Sequence, residues 1–138
     1  MSSTVIAPGD FDSILQRATQ CSRFVRRLLE SDAGLLPWLH EHYAQPGTAE
    51  EMAAWLAEMP RDDEESLSRA LRQLRKRVML KLLARDLGGL ADLDEVMRCT
   101  TALAELAAQE AQAFLMRSLV EQYGQPIGAA SGAPQTLL

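Results

Sequence analysis

The feature that most constrains this chain is the order of charge between residues 62 and 92. Four acidic residues open the segment at positions 62–65, and seven of the chain's 14 lysines and arginines follow between positions 69 and 85. Acids in the first turn and bases in later turns complement the helix dipole, so this order predicts one long helix. Asp62 and Glu65 have the spacing of a capping box, and Gly88-Gly89 can take the left-handed conformation that ends a helix.

An apolar stripe runs along this helix and ends on a charge. Its members recur every three or four residues: Leu67, Leu71, Leu74, Val78 and Leu82. Arg85 follows on the same face, which carries Arg85 and Asp86 into or beside the core. Since a buried, unpaired charge is costly, we expect Arg85 to be mostly buried and held by a carboxylate or by several backbone carbonyls. A structural ion pair is favoured here over contact with an anion or substrate.

Cap and turn residues divide the chain into about five helices. They place these helices at residues 11–30, 37–43, 48–60, 62–87 and 93–123. No run of alternating apolar and polar residues is long enough for a strand, so the predicted fold class is an all-α helical bundle. The last helix is rich in alanine, which lets helix axes approach closely. The two long helices should therefore pack as an antiparallel hairpin that dominates the bundle.

The predicted helix ends rest on individual side chains. Asp10 or Asp12 caps the first helix, and Pro37 suits the first turn of the second. Two further capping boxes and a closing glycine follow: Thr48 with Glu51, Asp92 with Glu95, and Gly124. These caps would satisfy backbone amides that a helix leaves unpaired at its start.

Composition excludes several classes of protein. A net charge of -5 and a pI near 5.0 argue against a dedicated nucleic-acid binder. No apolar run approaches the ~20 residues needed to span a membrane, and the first residues lack the features of a secretory signal, so we expect a cytoplasmic protein. Cys21 and Cys99 lie in helical patterns, which favours reduced, buried thiols over a disulfide or a metal site.

No residue pattern predicts a catalytic, cofactor-binding or metal site. His40 and His42 are two positions apart and point to different sides of a helix, unlike the histidine pair of a zinc helix. The large aromatic residues fall on apolar faces and are expected in the core: Phe24, Trp38, Trp55 and Phe114. The basic runs at residues 26–27 and 75–77 are expected to be solvated faces rather than phosphate sites.

Five short elements occur in a fixed order between residues 20 and 126. They are S-x-F-V at Ser22, Phe24 and Val25; L-R-x-x-R at Leu71, Arg72 and Arg75; R-D-L-x-G at Arg85, Asp86, Leu87 and Gly89; L-A-E at Leu103, Ala104 and Glu105; and Y-G-x-P at Tyr123, Gly124 and Pro126. In order and spacing they resemble the helical N-terminal segment of the bacterial bifunctional glutamine synthetase adenylyltransferases. We expect these residues to have structural roles.

The resemblance implies a function for a longer protein. Members of that family transfer AMP from ATP to a tyrosine of glutamine synthetase, and a separate N-terminal catalytic domain removes it by phosphorolysis. The whole enzyme would use ATP and Mg²⁺, and its partners would be glutamine synthetase and a nitrogen-signalling regulatory protein. This chain lacks the family's glycine-rich and S-D-I-D elements. We therefore expect it to brace the adenylyl-removing domain and to catalyse nothing alone.

The organisation predicted along the chain has three parts. Residues 1–9 form a flexible lead, residues 10–124 a helical domain, and residues 125–138 a linker to a nucleotidyltransferase domain that this sequence does not contain. The linker has too little apolar surface to offset the entropy lost on ordering, so we expect it to be poorly ordered. The alternative is a complete, all-helical adaptor that binds a partner through an apolar groove.

Overall fold

The computed structural model describes residues 10–124, which form six helices and no strand. The helices are α1 (Phe11–Cys21), α2 (Arg23–Ser31), α3 (Leu35–His42), α4 (Ala49–Ala57), α5 (Glu64–Leu87) and α6 (Leu93–Tyr123). The all-α prediction is confirmed for this part of the chain. The predictions for the lead at residues 1–9 and the linker at residues 125–138, with Pro126, lie outside the described residues.

The predicted first helix is wrong in one respect, because it breaks at Ser22. This residue is extended, with φ −131° and ψ 113°. Its N–H donates to the carbonyl of Ala18 at the end of α1, and its hydroxyl accepts from the N–H of Val25 at the start of α2. One residue therefore ends a helix and caps the next. Sequence periodicity missed the break because the apolar positions on both sides fit a single helix.

The break also changes which side chains are buried. Cys21, predicted to be buried, is exposed at the end of α1, whereas Cys99 is buried as expected. Phe24, predicted to lie in the core, is 43% exposed. A new helix that starts at residue 23 turns Val25 and Leu28 inward, and Phe24 then lies on the outer side.

The start of α5 is displaced by one residue from the predicted capping box. Asp63 is the N-cap: its carboxylate accepts from the N–H of Ser66 at 2.7 Å, and the Ser66 hydroxyl accepts from the N–H of Asp63 at 3.1 Å. The box is thus made by Asp63 and Ser66 rather than by Asp62 and Glu65. A serine at the third helical position therefore completes the reciprocal pair here, in the place where a glutamate or glutamine is usual.

Two core clusters share α5, which contacts each of the other five helices in residues 10–124. The first cluster joins α1, α2 and α3 to α5: Phe11, Ile14, Ala18, Val25, Leu28, Leu35, Leu39, Leu80 and Ala84. The second joins α4, α5 and α6: Met52, Leu56, Ala70, Leu74, Val78, Leu82 and Cys99. Trp38 and Trp55 pack against these clusters, 5.1 Å apart between ring centroids. The apolar stripe predicted on α5 therefore forms much of the second cluster.

The turn from α5 to α6 is built by two glycines. Gly89 has φ +81°, the N–H of Leu90 donates to the carbonyl of Arg85, and the N–H of Gly89 donates to the carbonyl of Asp86. This pattern is a Schellman motif, which satisfies carbonyls at a helix end. Gly88 allows α1 to pack closely against the turn, because a Cβ atom at this position would lie 2.6 Å from Cγ1 of Ile14 on α1.

Replacing Gly88 with alanine is expected to destabilise the protein by about 1–3 kcal/mol, since the added methyl group would overpack the contact with Ile14. The loss should shrink when Ile14 is replaced with alanine, because the clash with the Ile14 side chain is then removed, although the close approach to the Ala84 carbonyl oxygen, at 2.8 Å, remains. Free energies of unfolding of the single and double variants, from urea denaturation, measure this coupling.

Gly89→Ala is the matched control. Nothing lies within 4 Å of a Cβ atom there, so its cost comes from the left-handed backbone alone and is about 1–2 kcal/mol. That cost should be the same with Ile14 and with alanine at position 14. An equal cost of Gly88→Ala in both backgrounds would contradict the proposed clash.

Candidate functional site

The most buried charges of the described residues are on α5, and Arg85 is the central one. Its side chain is 4% exposed and reaches Glu95 on α6 through two parallel hydrogen bonds. Nε lies 2.7 Å from Oε2 of Glu95, and Nη2 lies 2.9 Å from Oε1. A guanidinium that binds both oxygens of one carboxylate is held in direction as well as distance. Two predictions for Arg85 are thus confirmed: its side chain is buried, and a carboxylate holds it.

Arg85 also donates to backbone carbonyls outside α5 and α6. Nη1 lies 2.8 Å from the carbonyl of Tyr43 at the end of α3, and Nη2 lies 3.4 Å from that of Leu90 in the turn. The side chain thus connects α3, α5, α6 and the turn. Asp86, predicted to enter or lie beside the core, is exposed instead because consecutive residues on a helix point about 100° apart.

A second buried cation lies one turn before Arg85, and sequence analysis missed it. Lys81 is almost fully buried, and Nζ lies 2.9 Å from both carboxylate oxygens of Glu51 on α4. The spacing of Lys81 and Arg85, four residues apart on an otherwise apolar helix face, was the available signal.

The carboxylates that hold these cations come from the two predicted capping boxes. The Thr48 side chain accepts from the N–H of Glu51, and Asp92 accepts from the N–H of Glu95. That half of each box is as predicted. The glutamate side chains do not complete the boxes, because they bind Lys81 and Arg85. Each glutamate is therefore fixed by its backbone at a helix start and by its side chain on α5.

The space between the two ion pairs is small. A cavity of about 10 Å³ is lined by Gly47, Trp55, Cys99 and both ion pairs, among others. That is about the volume that one water molecule needs. Burial raises the pKa of the Cys99 thiol, so the thiol stays protonated and unreactive at neutral pH. The cluster is electrically balanced and has no room for a substrate, which favours a structural role.

The L-R-x-x-R and L-A-E elements meet in a different place, a groove between α5 and α6. Its lining consists of Ser68, Leu71, Arg72, Arg75, Met79, Thr100, Leu103, Ala104 and Ala107, around a volume of about 580 Å³. We call this the α5–α6 groove. Five of the residues singled out in the sequence are thus brought together: Leu71, Arg72, Arg75, Leu103 and Ala104. Glu105 is exposed and does not line the groove.

The other singled-out residues lie apart from both places. Leu87 packs against the first core cluster, Gly89 forms the turn, and Gly124 ends α6 with φ +83°. His42 stacks on Trp38, and its Nδ1 lies 2.7 Å from the Trp38 carbonyl oxygen. Among residues 10–124, no three histidine, cysteine or acidic side chains are placed to hold a metal ion.

Replacing Arg85 with alanine is expected to lower the free energy of unfolding by about 2–4 kcal/mol, because Glu95 would remain buried without its partner. Urea denaturation gives the value. Arg69→Ala is the control: Arg69 is 67% exposed and pairs with Glu65 on the surface, so its loss should cost less than about 1 kcal/mol. An unchanged midpoint for Arg85→Ala would show that the ion pair does not stabilise the fold.

The same pair is expected to make stability depend on pH. The hydrogen bonds from Arg85 lower the pKa of Glu95 below its ordinary value of 4.5. A lowered pKa in the folded state adds stability above that ordinary value, and this stability is lost as the pH falls through the folded-state pKa. The difference in unfolding free energy between the natural protein and Glu95→Gln should therefore shrink below pH 4.5.

Asp63, whose pKa is lowered by its hydrogen bonds with Ser66, is present in both proteins and cancels from this difference. A difference that stays constant as the pH is lowered would contradict the assignment to Glu95.

Comparison with known proteins places the chain in a family. The family model for glutamate-ammonia ligase adenylyltransferase matches residues 13–138. A bifunctional glutamine synthetase adenylyltransferase/adenylyl-removing enzyme of Nitrosomonas eutropha is 42% identical over 99% of this chain, and the match covers 15% of that protein. Enzymes of the same description from Chromobacterium violaceum and Bordetella pertussis are 37% and 38% identical over 95% and 85% of the chain. No solved structure matches.

The chain spans only about 15% of the length of its relatives, or slightly less. None of the helices within residues 10–124 has the length and hydropathy to cross a membrane. The resemblance drawn from the five short elements is confirmed, since the match extends over nearly the whole chain. The chain belongs to the glutamate-ammonia ligase adenylyltransferase family.

Proposed function

We propose that this chain is the N-terminal helical part of an enzyme that adenylylates glutamine synthetase and removes the adenylyl group by phosphorolysis, in the control of nitrogen assimilation. Its own role is to brace the adenylyl-removing domain rather than to carry out the reaction. ATP and Mg²⁺ act elsewhere in the longer enzyme. Glutamine synthetase and a nitrogen-signalling regulatory protein are the partners of that whole enzyme, in the cytoplasm.

The observation that carries the bracing role is the apolar far end of α6. Leu115, Leu119 and Tyr123 recur every four residues on one side of the helix, and all three are exposed. The partly buried residues that pack against the second core cluster reach no further along α6 than Leu106. An apolar helix face of this kind is typical of a docking surface.

Two ion pairs, one buried and one partly buried, make this far end suitable as a support. Glu95 anchors the first turn of α6 to Arg85, and Arg61 pairs with Glu110 at 3.3 Å near the middle of the helix. The part of α6 beyond residue 110 therefore continues from a segment that is fixed at two points. A domain that packs on Leu115, Leu119 and Tyr123 would be held in a defined position relative to the bundle.

The residues of this segment do not fit a magnesium site. Carboxylates and other hard oxygen ligands must converge to hold Mg²⁺, and no such group forms among residues 10–124. We therefore assign no step of the reaction to this segment. The proposal places the metal and the nucleotide in the part of the relatives that lies outside the match.

Leu119→Asp in the complete enzyme is expected to lower adenylyl removal by about tenfold or more, because docking of the adenylyl-removing domain would bury an unpaired carboxylate. The same change should alter the unfolding free energy of the 138-residue chain by no more than about 0.5 kcal/mol, since Leu119 is exposed there. Rates of AMP transfer to and release from glutamine synthetase, with urea denaturation of the chain, test this.

Leu36→Asp on α3 is the matched control, because Leu36 and Leu119 have the same exposure of 40%. It should leave both activities of the complete enzyme unchanged. Equal losses with both variants, or none with Leu119→Asp, would contradict bracing through α6. The 138-residue chain by itself should show neither activity above a no-protein control, and any such activity would overturn the non-catalytic role.

A further inference from the structure

The α5–α6 layer is covered on one side and open on the other. Met52 and Leu56 of α4 enter the second core cluster between α5 and α6 on the covered side. The α5–α6 groove adjoins this cluster, because Leu71 and Leu103 pack against the cluster and also line the groove, but no residue of α1–α4 contributes to its lining. Among residues 10–124, α4 thus covers one side of the α5–α6 layer, and no segment fills the groove.

The floor of the groove is apolar and wide. Leu71 and Met79 form it on α5, and Leu103, Ala104 and Ala107 form it on α6. Alanines leave space between the two helices, and the volume of about 580 Å³ is large enough to receive several side chains of another segment. Along α5 the lining recurs at positions 68, 72, 75 and 79, the spacing of one helix face.

The rim of the groove carries positive charge without a counter-charge. Arg72 and Arg75 are exposed, and neither has a carboxylate within 4.0 Å among the described residues. Lys81 and Arg85 on the same helix each bind a carboxylate, and so does Arg69 on its surface. Two unpaired arginines beside an apolar floor, in a chain with a net charge of -5, favour an acidic occupant.

The groove is continuous with the far end of α6. Ala104, Ala107, Ala111 and Leu115 follow one another at intervals of three or four residues, so one face of α6 leads from the groove to the proposed docking surface. A single body that packs on the end of α6 can therefore reach the groove as well.

We infer that the α5–α6 groove binds an acidic amphipathic helix from the rest of the same polypeptide, with its apolar face on Leu71 and Leu103 and its carboxylates on Arg72 and Arg75. About 85% of the Nitrosomonas eutropha relative lies outside its match to this chain, which leaves ample chain to supply such a helix. This inference rests on the proposed function, since both require a longer polypeptide that packs on α6.

Maleimide labelling of cysteines introduced at chosen positions tests the inference, and Cys99 can stay in place because it is buried. Ala104→Cys places a thiol in the groove, and Ala53→Cys places one on the exposed side of α4; both are made with Cys21→Ser, because Cys21 is exposed. In the complete polypeptide, Ala104→Cys should react about tenfold more slowly than in the 138-residue chain, because it reacts only when the cover opens. Ala53→Cys should react at the same rate in both.

Charge reversal tests the acidic character of the occupant. Arg72→Glu with Arg75→Glu should restore fast labelling of Ala104→Cys in the complete polypeptide, whereas the same reversal of Arg26 and Arg27 on α2 should not. Failure to restore it would overturn an acidic occupant. Equal labelling of Ala104→Cys in both proteins would show an open groove, and protection that needs added glutamine synthetase would place the occupant on another protein; both overturn the inference.

A third cysteine separates this inference from the proposed function. Leu119→Cys reports on the far end of α6. If it is protected in the complete polypeptide while Ala104→Cys is not, bracing stands and the groove inference fails. If neither is protected, both fail.

Discussion

The paired hydrogen bonds between Arg85 and Glu95 are the contact on which the arrangement of the helices depends. Arg85 lies at the end of α5, where three other parts of the chain converge: the end of α3, the turn and the first turn of α6. Because a buried guanidinium requires partners in specific directions, each of these parts is placed relative to α5. The ion pair of Lys81 and Glu51 does the same for α4 one turn earlier. Because the other contacts of α5 are largely apolar, these two ion pairs determine which helices lie beside α5 and where along it they pack.

Sequence patterns predicted those parts of the fold that depend on local physics. Arg85 could be predicted because a charge at the end of a leucine stripe has few alternatives to a buried ion pair. The break at Ser22 could not be predicted, because the apolar period continues through it. The second helix is recognised in the structure by the hydrogen bond from the Val25 N–H to the Ser22 hydroxyl, which caps it. The partners of Lys81 and Arg85 could not be predicted from the sequence either. A glutamate at the third helical position can complete a capping box or bind a neighbouring helix, and only the packing of the helices decides between the two.

The α5–α6 groove shows the same limit for a site. Leu71, Arg72 and Arg75 were visible as one element, and Leu103 and Ala104 as another, but they are about 30 residues apart in sequence. Only the close packing of the two helices makes them one surface. The alanines of α6 were predicted to serve close packing. Ala102 does pack against the second core cluster, whereas Ala104 and Ala107 face the groove and define its width.

Four of the seven bases of α5 fall into two environments, one buried and one exposed, and this difference limits what can cover the helix. Lys81 and Arg85 are buried, and each has a glutamate from another helix. Arg72 and Arg75 are hydrated, so their lack of a partner costs nothing while the groove is open. A purely apolar cover would strip that water and leave two charges unpaired, at a cost of several kcal/mol. On the inner face of α5, Lys81 and Arg85 are each paired with a glutamate of another helix. A segment that covers the groove must likewise supply one carboxylate for each arginine.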